Sequence, residues 1–317
     1  MINLLPVIIF IILGLFAAVF SGLGIEFLRR YAERQRVLID IPNERSSHSQ
    51  PKPRGGGIMI VLITLIGVLG LLLIGPARSM SLLTFLICGG IIAFVGWIDD
   101  MRSLSTTLRL AIQVLCALVS ILGIGYFDKL TVGNSAFSFG LVGILFTIIW
   151  LVGLTNAYNF MDGIDGIAGG QAVVGGLAWL GFGLIQQVPI VSIIGLLIAS
   201  SSLGFLWHNW QPSRIIMGDV GATFLGYSFA VLPLLFENHT PILENGLWFS
   251  MLVLWAFLAD TGITMLRRAL RRENIFQAHR SHFYQRLVIS GWSHARVSAL
   301  YIVLSVLGSL FAIWLSS

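Results

Sequence analysis

Apolar residues run along this chain in long blocks separated by short polar loops. Blocks near Leu4–Phe27, Ile58–Ile74, Ser81–Ile98, Leu108–Tyr126, Gly140–Thr155, Ile167–Ile185, Pro189–Trp207, Val220–Phe236, Leu247–Leu266 and Val297–Leu315 are each long enough to cross a bilayer as a helix. The pattern predicts an all-α, polytopic integral membrane protein with about ten transmembrane helices. The chain opens Met1-Ile-Asn, with no basic n-region, and no small-residue cleavage site follows, so the first block is expected to stay as a helix.

Composition points the same way. Across 317 residues, 56% are hydrophobic and only 10% charged, and the mean hydropathy is +0.91. Such values lie far outside soluble globular composition. The longest gaps between blocks run from about Leu28 to Gly57 and from Arg267 to Ala295, too short for a soluble domain. Residues 1–317 are therefore read as one domain, with polar loops at about 28–57, 99–107, 156–166, 208–219 and 267–295. No internal repeat or low-complexity tract is present. Cys88 and Cys116 fall inside blocks and away from any metal-ligand spacing, so they are expected as small core residues without a disulfide.

Charge sets the orientation. Of the 19 Lys and Arg residues, 17 fall in alternate loops, and only Arg78 and Lys129 fall on the other side. Positive-inside sorting makes the basic side cytoplasmic and places both termini on the extracytoplasmic side. The net charge of +5 suits anionic headgroups and anionic substrates, although sorting alone would give the same excess.

Nearly all the candidate chemistry lies on that basic side. Asn156, Asn159, Asp162 and Asp165 step by three residues off the end of an apolar block, each about 4.5 Å further along a helix axis. Gly163 and Gly166 loosen the turn, so two carboxylates and two amides could converge on one ligand; a polar helix terminus with an Asx-turn is the plainer alternative. Asp99 and Asp100 are adjacent at a membrane edge, where a cation or shared proton would relieve their repulsion and Arg102 could pair with one. Asp219, between Gly218 and Gly221, could meet a ligand or simply cap a helix. His279, Arg280 and His282 suit a phosphate oxygen, with a solvated basic loop as the alternative. His48, Lys52 and Arg54 precede Gly55–Gly57, whose amides could face an anion or merely form a flexible helix entry. Asp260 is the remaining intramembrane acid and needs a partner, with Thr261, Thr264 or a nearby arginine as candidates. The available acids favour a hard cation such as magnesium over zinc.

Together these motifs resemble the polyprenyl-phosphate N-acetylhexosamine-1-phosphate transferases, which include phospho-N-acetylmuramoyl-pentapeptide transferase. The resemblance covers about Ile41 to Leu287 in family order: His48 to Gly57, Asp99-Asp100, Asn156-x-x-Asn159-x-x-Asp162-Gly-x-Asp165-Gly, Met217-Gly-Asp219 with Leu225-Gly226, and His279-Arg-Ser-His282. The chain looks most like bacterial enzymes that start O-antigen or related surface polysaccharides. The implied reaction moves a sugar-1-phosphate from a UDP-N-acetylhexosamine to undecaprenyl phosphate at the cytoplasmic face of the bacterial inner membrane, releasing UMP. The implied cofactor is Mg2+, with Mn2+ as a substitute.

By the same carry-over, Asp99 would orient or deprotonate the lipid phosphate and Asp100 would support it or the metal. Asp162 and His282 join the catalytic set. Asp219 and Asn159 would hold the metal, Asp165 would read the uracil edge, and Arg280 with His282 would hold phosphate oxygens. His279, Asn156, His48, Lys52 and Arg54 complete the substrate-binding set. The bilayer and the two substrates are the implied partners; a homodimer is compatible, and no nucleic acid is expected. Three positions depart from relatives: Ser103 replaces an Asp or Lys, Ile216 an aromatic, and Tyr284 a histidine. The last argues against the muramoyl-pentapeptide branch. From a different class, an ion-coupled transporter would also account for many spans with polar residues, but carriers tend to show midplane ionisable groups and inverted repeats.

Overall fold

The computed structural model describes residues 4–42, 50–74, 79–132, 135–240, 245–273 and 279–316. The apolar blocks fold as helices: α1 (Leu4–Gln35), α2 (Ile58–Ile74), α3 (Met80–Met101), α4 (Thr106–Gly123), α5 (Val142–Met161), α6 (Ile167–Ile185), α7 (Pro189–Asn209), α8 (Asp219–His239), α9 (Gly246–Val253), α10 (Trp255–Leu270), α11 (Phe283–Ile289) and α12 (His294–Ser316). Among the described residues, eight helices are long and apolar enough to cross a membrane, and the pair α9 and α10 makes a ninth if it counts as one span. α2, with 17 residues, is a shorter apolar helix. The chain is an all-α, multi-pass membrane protein.

Two small antiparallel ribbons were not expected from the sequence. β1 (Ile39–Asp40) pairs with β2 (Lys52–Pro53), and β3 (Lys129–Val132) pairs with β4 (Ser135–Ser138). α1 also runs on to Gln35, well beyond Phe27, because Glu26 and Glu33 pair with Arg29 and Arg30 at helical spacing.

The expected ninth span, Leu247–Leu266, is corrected: α9 and α10 meet at 77°. No glycine or proline lies between Leu247 and Ala259, so local sequence does not mark the break at Leu254. Neighbours on α12 account for it. The Trp255 indole donates to Leu304 O at 2.8 Å, and Gly308 lets the Leu252 carbonyl nest where a Cβ would lie 2.3 Å away.

α8 is the axis of the bundle. In its apolar window 94% of residues are buried, and α2, α3, α5, α6, α7 and α9 all pack on it. Such burial suits its all-round apolar sequence. Far from the Asp219 end, Phe182, Phe249, Phe236 and Trp179 stack α6, α8 and α9 together, with Phe182 and Phe249 centroids 4.0 Å apart.

The Gly55–Gly57 segment has a different job from either expectation. The Gly56 and Gly57 amides donate to Ile216 O and Met217 O at 2.9 Å, so they are not presented to an anion, and the helix entry is packed rather than loose. A Cβ on Gly57 would sit 2.3 Å from Gly221 Cα, which makes this a backbone contact between α2 and α8. Gly57→Val is expected to cost roughly 1–3 kcal/mol or more by overpacking. The control Gly70→Ala, facing open space, should leave the melting temperature unchanged or raise it. Thermal melting and size exclusion in detergent check both, and a Gly57→Val chain as stable as the parent would contradict the contact.

Candidate active site

One end of the bundle gathers the polar residues, because α3, α5 and α7 end there while α4, α6, α8 and α12 begin there. Asp99 and Asp100 occupy the last turn of α3. Asp99 Oδ1 accepts the Leu104 amide at 2.6 Å, closing the turn into α4, and Oδ2 pairs with Arg109. Asp100 turns the other way. Its two oxygens accept the amides of Asp219 and Val220 at 2.9 and 3.1 Å, capping α8 from a neighbouring helix. The approach depends on Gly96, where a Cβ would lie 2.6 Å from Asp219 O.

Asp219 is therefore relieved of capping. Gly218, at φ 81°, swings the chain into α8, and the Asp219 carboxylate lies 3.5 Å from Arg109 Nη1. Arg109 thus joins Asp99 and Asp219. In the sequence Arg109 is one of the 17 basic residues of the cytoplasmic-side loops, and no motif marks it as a site residue. Its signal was a lone arginine in the first turn of an apolar helix, ten positions after the first aspartate.

Arg109 also lines two adjoining spaces. A narrow cleft is bounded by Asp99, Gln113, Asp219 and Thr223. Beside it, a cavity of about 320 Å³ is lined by Asn156, Asn159, Phe160, Thr261 and Met265, with apolar Leu110 and Val152 alongside. Asn156 Nδ2 donates to Gln113 Oε1 at 2.5 Å, joining α5 to α4.

α5 ends at its C-cap, Asp162, and the turn that follows is packed where Gly163 was expected to loosen it. Asp162 leaves the helix at φ −84°, ψ 51°, and the turn at Gly163 packs so tightly on Tyr284 that a Cβ would meet its hydroxyl at 2.0 Å. Tyr284 Oη donates to Phe160 O at 2.9 Å. The departure at Tyr284 is thus part of the framework. Asp162 is half buried, and its carboxyl is pushed well above the ordinary 3.8 by burial and by the charge of Asp219, with Asp100 and Asp165 adding and Arg54 opposing.

Asp165 is held by the protein itself. Ser213 Oγ and N donate to it at 2.7 and 3.1 Å, while Lys52 Nζ and His294 Nδ1 lie 3.5 Å away. Burial works against its charge, but these partners hold its carboxyl below the ordinary carboxylate range. It ties the loop before α2, the turn before α6, the loop before α8 and the start of α12 into one brace. Lys52 belongs to this brace, donating to Ser213 Oγ at 2.8 Å. Arg54 lies nearer the acids: Nε is 3.4 Å from Asp100 and Nη1 3.9 Å from Asp40. Burial disfavours its charge, yet Asp100, Asp219, Asp40 and Asp162 together raise its pKa. His48 lies outside the described residues.

His282 sits across the Asp162 turn, its ring 6.3 Å from Phe160 and 5.8 Å from Tyr284. Asp260, expected to need a partner, accepts from Thr264 Oγ1, one of the candidates, at 3.3 Å, and it also holds His282, a pairing the sequence did not suggest. It accepts from His282 Nδ1 at 3.1 Å, from the Phe283 and Tyr284 amides at 2.9 and 3.0 Å, and from the Tyr301 hydroxyl. One carboxylate thus caps α11 and orients the imidazole. His279 stacks on His282 at 4.9 Å, and burial, then His282 and Arg268, push its pKa down to about 4. His279 Nδ1 lies 2.9 Å from the Ser281 hydroxyl. Arg280 is half exposed beside them.

Among the described residues, no three His, Cys, Asp or Glu form a closed metal cage. Asp219 borders the cleft and Asn159 the cavity beside it; magnesium takes one or two carboxylates together with substrate phosphates and water. Asp219 and the amide oxygen of Asn159 are hard oxygen donors of that kind.

Crowding of acids makes a stability prediction. Folded Asp162 keeps its proton to a higher pH than it would when unfolded, so stability falls as pH rises above about 3.8 towards the raised value. Asp162→Asn removes that loss. The variant is expected to melt a few degrees above the parent at about pH 8, with the gap closing towards pH 4. Equal melting at both pH values would remove the buried repulsion from the account.

The profile of glycosyl transferase family 4 matches residues 82–237, the segment holding the paired aspartates, the Asn156 to Asp165 series and Asp219. A probable undecaprenyl-phosphate N-acetylglucosaminyl 1-phosphate transferase of Bacillus subtilis is 32% identical over 87% of this chain and 75% of its own length. A decaprenyl-phosphate N-acetylglucosaminephosphotransferase of Mycobacterium tuberculosis is 29% identical over 90% of this chain and 77% of its own. A phospho-N-acetylmuramoyl-pentapeptide-transferase of Staphylococcus haemolyticus is 23% identical over 91% and 92%. None of these similarities supports the transporter reading. This chain belongs to the polyprenyl-phosphate sugar-1-phosphate transferases of glycosyl transferase family 4.

Proposed function

We propose that the chain transfers N-acetylhexosamine-1-phosphate from a UDP-sugar to undecaprenyl phosphate, the opening step of a surface polysaccharide, at the cytoplasmic face of the bacterial inner membrane. The carrying observation is the Asp99–Arg109–Asp219 junction, whose arginine also lines a half-apolar cavity of about 320 Å³. Polar and apolar substrate parts must meet in such a place. The 17 to 2 distribution of Lys and Arg supports the cytoplasmic orientation.

The chemical problem is repulsion. A lipid phosphate must approach a diphosphate, and at an effective dielectric of about 20 each unit-charge pair at 4 Å repels by roughly 4 kcal/mol. Arg54, Arg109 and Arg280 offset part of it at this end of the bundle. A magnesium ion on Asp219 and Asn159, for which manganese would substitute, would neutralise the diphosphate and the departing UMP.

In the reaction, an oxygen of the lipid phosphate attacks the sugar-bearing phosphorus. A new P–O bond forms, the bond to the UMP oxygen breaks, and UMP leaves. Asp99, turned towards Arg109, would orient or deprotonate the attacking phosphate, and Asn156 and Asn159 line the cavity where it would enter. His282, held in one orientation by Asp260, would donate to phosphate oxygens alongside Arg280. Asp100 acts through α8 and Asp165 through the loop brace, so both are positioning residues here. We favour direct attack, since a site that already holds a phosphate nucleophile has little need of an aspartyl one.

Purified chain incubated with undecaprenyl phosphate, Mg2+ and UDP-N-acetylglucosamine is expected to release UMP, with other UDP-N-acetylhexosamines as the next donors. Asp219→Asn should lower turnover by about 100-fold or more while the protein stays folded. Arg109→Gln should also lower it, with Arg109→Lys recovering part. No UMP from any donor would overturn the proposal, and wild-type turnover in Asp219→Asn would remove Asp219 as a metal ligand.

A further inference from the structure

α10 separates two cavities. The catalytic one touches Thr261 and Met265; a second, of about 180 Å³, lies on its other side, against α11 and α12. Trp255, Ala259, Ile263, Phe283, Leu300 and Leu304 line it. Ile263 and Leu300 are 48% and 36% exposed, so the space is open at its side. Asp260 and Tyr301 also border it, but they are bonded to each other and to α11. The walls it offers are therefore hydrocarbon.

Its charge is ordered along the helices. On α10, Ala259 and Ile263 face the cavity, and the next residue at the same spacing is Arg267. Its guanidinium lies 5.0 Å from the ring centroid of Phe283, a wall residue. On α12, Leu304 and Leu300 face the cavity, and one turn nearer the same end is the exposed Arg296. On α11 the exposed Arg286 adjoins Leu287, another wall residue. Two helices, α10 and α12, thus follow an apolar stretch with an arginine at the same end, about 6 Å beyond the last wall residue, while Arg286 stands between the wall residues Phe283 and Leu287 of α11. That order matches a phospholipid, with its chain below and its phosphate above.

We propose that this is a binding site for one anionic phospholipid of the bilayer. An acyl chain fills the space behind α10, and the phosphate is held by Arg267 and Arg296, with Arg286 adding to the field. Zwitterionic lipid fills the same apolar space but gains less from the three cations, so the site selects by charge. It stands back to back with the catalytic cavity and takes no part in lining it.

The full chain, stripped of lipid in detergent, is titrated with phosphatidylglycerol or phosphatidylcholine and read by native mass spectrometry. One phosphatidylglycerol per chain is expected, bound about tenfold more tightly than phosphatidylcholine. Leu300→Trp should fill the cavity and abolish the tight binding. The pair Arg267→Gln with Arg296→Gln should keep a bound chain but lose most of the preference. Melting curves confirm that each variant is folded. Equal affinity for the two lipids, undiminished binding in folded Leu300→Trp, or one-for-one displacement by undecaprenyl phosphate would each overturn the proposal, the last by giving the space to the carrier lipid. No outcome depends on turnover, so transferase activity stands or falls separately.

Discussion

The carboxylate of Asp100 holding the first two amides of α8 is the contact on which the polar end of this protein depends. A helix N-terminus buried in a bundle leaves amides that must find acceptors, and inside a membrane protein water is a poor source. Taking that acceptor from α3 frees Asp219, the first residue of α8, to face Arg109 instead of capping its own helix. Gly96 and the Gly57–Gly221 contact make the approach possible by letting backbones touch. Rigidity of the site and burial of α8 are thus two sides of one arrangement.

The same device recurs. Asp260 caps α11 and turns His282, while Asp165 gathers three loops and the start of α12. Each acid is largely satisfied by protein groups, in keeping with the cost of leaving a charge unpaired away from water. Asp162 differs from these: among the described residues no hydrogen bond relieves the push on its carboxyl from burial and neighbouring acids. Stability given up in a crowded acidic cluster is a familiar companion of function.

Much of this was legible in the sequence. Nine of the ten apolar blocks became single helices, because length and apolarity leave a membrane segment few other ways to satisfy its backbone. The acids at one end could be read from loop parity and charge alone. What stayed hidden depends on partners distant in the chain. The break at Leu254 arises from α12, and the amides of Gly56 and Gly57 are used by Ile216 and Met217. Whether Asp100 faces substrate or a helix end turns on a neighbour 119 residues away. Arg109 was passed over because a basic residue at a membrane edge is expected on sorting grounds, and only its position between two carboxylates sets it apart.

We propose that Asp219, set free by Asp100, holds a divalent ion against the diphosphate of the donor. Electron paramagnetic resonance of Mn2+ bound to the chain together with UDP-N-acetylglucosamine tests it most directly. One tightly bound ion per chain with phosphorus hyperfine coupling is expected, lost in Asp219→Asn. A coupled ion that persists unchanged in that variant, or an ion that never senses phosphorus, would contradict it.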